Sequence, residues 1–315
     1  MSHRWKTLAA FGIIYFVWGS TFLAIRVGVH EVPPLLFAAM RFFIAGLAVV
    51  AWTAFRRETW PTGRQWGSIC LLAALIFVGD YGLLFWAEQK VPSGIAAVML
   101  ATIPAFTAIA EVSLLRTQRL TLRLCVALAI GLAGVAVLMS HSLNLGGAPI
   151  STVGALALIV AAIFWSVATV MTRRLPLPAS KVLNSGAQML AGGVMLAVVA
   201  TAFGEPRRFH PAAVSGQAWF ALVYLIVMGS IVGFTCYVWL IHHESPTKVG
   251  TYAYVNPVVA VLLGYFLGGE ALGLRTVLGT GLVLASVLLI TLGKATRSGA
   301  AMKSQERTRG EVSVD

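Results

Sequence analysis

Charged and amide side chains are scarce inside the apolar stretches of this 315-residue sequence, so the few that occur there define its possible chemistry. Arg41 and Asp80 each lie seven residues from the same-side end of their stretch, which at 1.5 Å rise per residue is about 10 Å deep. Equal depth lets the two form an ion pair, and an unpaired charge at that depth costs about 3 kcal/mol or more. Asp80 is otherwise a candidate to handle substrate or protons. Pro104 and Pro257 each lack an N–H and so free the carbonyls of Leu100 and Ala253 four residues earlier. Prolines in such segments often only kink them, but Thr102, Tyr252, Tyr254 and Asn256 lie within about one turn. A kinked helix with loose carbonyls and an amide side chain can hold an ammonium or a carboxyl group. Trp18 and Trp165 are the two mid-depth tryptophans among nine. Each needs a partner for its indole N–H that lipid cannot supply; they either pack helices together or wall a cavity, where a flat face suits an apolar side chain or an ammonium group.

Other polar groups read as peripheral. Glu111 lies close to Arg116 and is expected to snorkel to the interface, and His242 and His243, beside Glu244, read as a solvated edge. No phosphate-binding loop, zinc-spaced cysteine or histidine set, or nucleophile elbow occurs. No cofactor or metal is therefore called for, and transport driven by ATP through this chain alone is excluded.

These depths require elements that cross a membrane. The sequence is 58% hydrophobic and 11% charged, against roughly a quarter charged in a soluble domain. Windows of about 19 residues predict ten spanning helices at Thr7–Val29, Pro34–Phe55, Trp66–Ala87, Ser93–Leu115, Thr121–Ser140, Val153–Thr172, Leu183–Phe203, Gln217–Ile241, Val249–Gly268 and Leu274–Gly293. What remains is too short for a large extramembrane domain. The first stretch runs too far to be a signal-peptide core. Trp5, Trp52, Trp60, Trp66, Trp86, Trp219 and Trp239 fall at helix ends or in loops, where amphipathic rings anchor. Cys70, Cys125 and Cys236 fall within apolar runs and read as small buried hydrophobes.

The formal net charge of +12 is spread between apolar segments, which argues against a nucleic-acid footprint. Alternate loops divide it unevenly: seventeen Lys and Arg on one side, five on the other and Arg41 within a helix. Basic residues stay on the cytoplasmic side, so both termini are expected there. Residues 294–315 are polar and read as a disordered cytoplasmic tail.

The two halves also correspond. Trp18, Arg26, Arg41 and Gly46 fall on Trp165, Arg173, Gln188 and Gly193 at an offset of 147. Trp86 and Pro104 fall on Trp239 and Pro257 at 153, and Leu122-Arg123 on Leu274-Arg275 at 152. Ordered offsets with small drift are what duplication with loop changes produces. Residues 1–140 and 151–293 are then two five-helix repeats, and an odd helix number inverts the second relative to the first. Inverted repeats build alternating-access transporters with a midplane site.

Trp18-Gly19-Ser20-Thr21-Phe22, Met40-Arg41-Phe42, Asn256-Pro257 and Gly269-Glu270 resemble the EamA family of the drug/metabolite transporter superfamily over about residues 7–293. The resemblance implies an all-α integral membrane protein of ten helices and export of amino acids or related metabolites, sometimes drugs. Gln118 stands where the first repeat of that family often carries an acidic residue, while the second keeps Glu270.

The expected function is a secondary or facilitative exporter of small amphipathic metabolites in the inner membrane of a bacterium-like cell. Its partners are a small-molecule substrate and the lipid bilayer, and one copy suffices for the fold. The alternative is an intramembrane enzyme on a lipid-soluble substrate, for which Arg41 with Asp80 is the one candidate pair. A channel would need a continuous polar stripe, whereas the polar residues cluster near the centre.

Overall fold

The computed structural model describes residues 3–115, 121–139, 151–244, 249 and 251–290, and every regular element among them is helical. Eight helices are long and apolar enough to cross a membrane: α1 (Arg4–Val29), α2 (Pro34–Phe55), α3 (Gly63–Ala87), α4 (Ser93–Ser113), α5 (Leu122–Met139), α6 (Thr152–Met171), α7 (Lys181–Ala202) and α8 (Gly216–Leu240). Two shorter apolar helices follow, α9 (Tyr252–Phe266) and α10 (Leu274–Ile290). Gln118, His242's side chain and the tail at 294–315 lie outside what is described. Leu132, Val198 and Phe220 point outward and are 64%, 64% and 70% exposed, an arrangement that suits a bundle whose outer surface meets lipid.

Close backbone contact organises the centre. α2 lies along α7 in the longest helix contact among the described residues. A Cβ on Gly46 would run into the backbone of Leu190, and one on Gly193 into that of Phe43, so small residues set the approach distance. These two glycines are also a matched pair at the offset of 147. Around them α1 rests on α8 and α9 while α6 rests on α3 and α4; α2 touches α8 while α7 touches α3. α5 meets α10, where the Ser286 hydroxyl donates to the Ala127 carbonyl at 2.6 Å. Exchanging α1–α5 with α6–α10 maps this set of contacts onto itself.

Three helices depart from regular geometry where the sequence analysis drew plain spans. α4 breaks at Ala101–Thr102, and Pro104 opens its second segment, where a proline's missing N–H costs little. α3 and α8 widen into π-helical turns at Ala74–Tyr81 and Leu225–Val232. Pro257, by contrast, sits inside continuous helix.

Two sequence expectations are corrected. Glu111 does not snorkel: it is 1% exposed and its carboxylate takes Arg173 Nη1 at 3.0 Å. Cys125 is exposed on the outside of α5, whereas Cys70 and Cys236 are partly buried.

One end of the bundle carries the connections at 30–33, 88–92, 203–215 and 267–273, and three of them reach over a neighbouring helix start. The Glu31 carboxylate accepts from the Ser215 N–H and hydroxyl at 2.6 and 2.7 Å, ahead of α8. Glu205 accepts from the Leu36 N–H at 2.8 Å in α2. Glu270 accepts from the Ser93 N–H and hydroxyl, each at 2.6 Å, and from the Gly94 N–H at 3.0 Å in α4. Anions are stabilised at these orphan N–H groups. The bonds from Ser215, backbone first, hold the Glu31 carboxyl below its usual range.

Candidate functional site

A cavity of about 340 Å³ opens among α1–α4 and α6–α9. Aromatic rings form much of its wall. The Trp18 indole N–H donates to the Gly229 carbonyl at 3.2 Å, and its ring packs edge-on to Tyr252 at 5.1 Å and beside Tyr237 at 5.3 Å. Trp165 enters from α6 and meets the Tyr81 ring edge-on at 6.1 Å. The π-turns of α3 and α8 deliver Asp80 and Tyr81 on one side and Gly229 and Ser230 on the other. Such turns shift the register of a face and recur at functional sites.

Two charged groups lie in this wall. Arg41, 3% exposed, donates from Nε to the Ser230 hydroxyl at 3.1 Å, and its guanidinium stands 4.7 Å over the Phe42 ring and 5.5 Å over Tyr81. Its Nη1 has no hydrogen-bond partner. Asp80 is 2% exposed, and its Oδ1 also has none. The expected Arg41–Asp80 ion pair is not formed: the ion pairs among the described residues are Arg26–Glu270 and Arg173–Glu111. The physical reason is that Ser230, presented by the π-turn of α8, holds the Arg41 Nε instead. A buried donor and a buried acceptor left open on one cavity wall carry a large desolvation penalty, which a ligand offering the complementary groups would relieve.

The structure places Trp18, Arg41, Asp80, Leu100, Pro104, Trp165, Tyr252, Ala253, Asn256 and Pro257 on this cavity. Thr102 does not line it, because its hydroxyl donates back to the Met99 carbonyl at 2.6 Å within the α4 break. The Asn256 amide nitrogen, in the orientation that satisfies its surroundings, lies 3.2 Å from the carbonyls of both Tyr252 and Tyr15. Sequence reasoning missed Tyr81, Gln188, Ser230 and Tyr237. Gln188 was within reach, since it is the offset partner of Arg41 and both face the cavity.

Membrane-length apolar helices packed around an aromatic cavity make this a multi-pass membrane protein. The chain belongs to the EamA-like transporter family, whose pattern matches residues 5–140 and again residues 152–292. It is 39% identical over 283 residues, 89% of each chain, to the uncharacterized inner membrane transporter YedA of Escherichia coli (strain K12). It is also 25% identical to the uncharacterized transporter YoaV of Bacillus subtilis (strain 168), over 88% of this chain and 94% of that one. A solved crystal structure, 24% identical, superposes with a TM-score of 0.59 and covers 92% of this chain and 98% of its own, a likeness of fold.

Proposed function

We propose that this protein is a secondary or facilitative carrier that exports small amphipathic metabolites, amino acids and related compounds with some drugs, across a bacterial inner membrane. The observation that carries the reading is the open Arg41 Nη1 and the open Asp80 Oδ1 on the wall of one aromatic cavity. A zwitterion presents a carboxylate to the first, an ammonium to the second and an apolar side chain to Trp165, Tyr81 and Phe77. The volume of about 340 Å³ falls in the range of small-ligand sites, roughly 300–1,000 Å³.

The carrier works by alternating access between two inverted five-helix halves, with α9 and α10 completing a ten-helix bundle. Support comes from the doubled family match and from contacts that survive exchange of the halves. In this reading the Glu31–Glu205–Glu270 end faces outside and both termini face the cytoplasm, supported by the uneven Lys and Arg distribution. A carrier is favoured over an intramembrane enzyme because the relatives are named as transporters. Counterflow in proteoliposomes tests the reading: vesicles loaded with unlabelled phenylalanine should accumulate labelled phenylalanine saturably, and chemical conversion without flux would overturn it. Termini are tested by C-terminal fusions, an inactive alkaline phosphatase and a bright fluorescent protein being expected.

A further inference from the structure

Glu88 follows the last residue of α3 and is 0% exposed, with neither carboxyl oxygen hydrogen-bonded. It stands one turn beyond Leu84, which lines the cavity and whose carbonyl accepts the Glu88 N–H at 3.0 Å. The basic groups around it are engaged elsewhere. Arg26, from α1, donates Nη1 to the carbonyls of Glu88 and Val91 at 3.3 and 2.7 Å and holds Nε 3.4 Å from Glu270. Arg41, from α2, gives Nε to Ser230. Glu270, from the connection before α10, faces Glu88 with like charge while capping α4. In the same connection as Glu88, Lys90 turns its ammonium over the Trp86 ring at 4.4 Å, and His30 feels the charge of Arg26.

An anion in this position would lack both water and donors, and desolvation of an unbonded charge costs far more than that of a neutral acid. We infer that Glu88 is a proton-binding site, occupied while the Arg26–Glu270–Ser93 tie closes this end of the bundle and emptied when the tie opens. Opening lets water reach the carboxyl and frees Arg26, so the proton passes to that water and the carboxylate gains a counter-ion. Closure is then linked to proton uptake from the side on which this end faces. Burial, followed by Glu270, holds the Glu88 carboxyl well above the usual carboxylate range, against the opposing pull of Arg26 and Arg41. The opening step rests on the carrier reading, but the site itself is tested without any substrate, so an error in substrate class leaves the test intact.

The experiment is infrared difference spectroscopy of the full chain in phosphatidylethanolamine–phosphatidylglycerol vesicles, titrated from neutral to alkaline pH. A carboxylic-acid carbonyl absorption should be present at neutral pH, and the component of it lost in Glu88→Gln should be retained in Asp80→Asn and Glu270→Gln. Glu88→Asp, which keeps an acid, should shift the band rather than abolish it, so the assignment survives a misfolded Gln variant. Glu270→Gln should move the band's midpoint to lower pH by removing the facing charge. Melting supplies a second readout: a group that binds its proton more tightly when folded stabilises at low pH and loses that contribution as pH rises. The wild-type melting temperature should therefore fall with rising pH, with the slope flattened in Glu88→Gln. A band at neutral pH that no Glu88 change alters, or a fall of melting temperature with pH as steep in Glu88→Gln as in wild type, would overturn the inference.

Discussion

Replacing Asp80 by Asn separates a binding carboxylate from a structural one with little change of shape. Its Oδ1 is buried without a partner, so Asn removes no hydrogen bond at that atom. Folding stability should hold or rise. A charge-assisted hydrogen bond to a bound ammonium is worth about 1.5–3 kcal/mol, which is about 10- to 150-fold in affinity. The assay is quenching of tryptophan fluorescence on titration with phenylalanine, since Trp18 and Trp165 line the same cavity. Phenylpropionate, which lacks the ammonium, supplies the second arm: its binding should be unchanged or improved in the variant. Arg41→Met should show the mirror behaviour, weakening the acid and sparing phenethylamine. If Asp80→Asn binds phenylalanine as wild type does, or melts several degrees lower, the carboxylate does not receive the ammonium and the argument from open groups is wrong.

The two cavity tryptophans should behave differently on replacement by Ala. Trp18 is bonded to Gly229 and packed between two tyrosines, so its loss lowers melting temperature as well as flux, whereas Trp165→Ala lowers flux in counterflow with melting within a few degrees. Gly193→Leu should sharply reduce folded yield on size-exclusion chromatography, because overpacking costs about 1–3 kcal/mol and backbone stands in the way; Gly12, with open space around it, should accept Leu without effect. Glu31, held ionised by Ser215, contributes stability above its ordinary value of 4.5 that is lost as pH falls through its lower folded value. A melting series into acid should thus be steeper for wild type than for Glu31→Gln.

Depth was legible in the sequence, and azimuth was not. The position of a residue along a spanning helix follows from counting at 1.5 Å per residue, which is why Trp18, Asp80, Trp165 and Asn256 stood out before any packing was known. Fixed-offset matching likewise reached Gly46 and Gly193, because close backbone contact admits only glycine there. Which way a residue points depends on its neighbours and on local turn geometry. The π-turns in α3 and α8 insert register shifts that no apolar periodicity records, and they turn Tyr81 and Ser230 into the cavity. Ser230 then draws Arg41 away from Asp80, undoing a pairing that equal depth alone suggested. Thr102 turned inward on its own backbone once α4 broke before Pro104. Glu111 found Arg173, and Glu88, Arg26 and Glu270 met, only because helices distant in sequence end at the same face of the bundle. Linear order sets how deep each charge lies, but its partner is chosen by the three-dimensional packing of the ends.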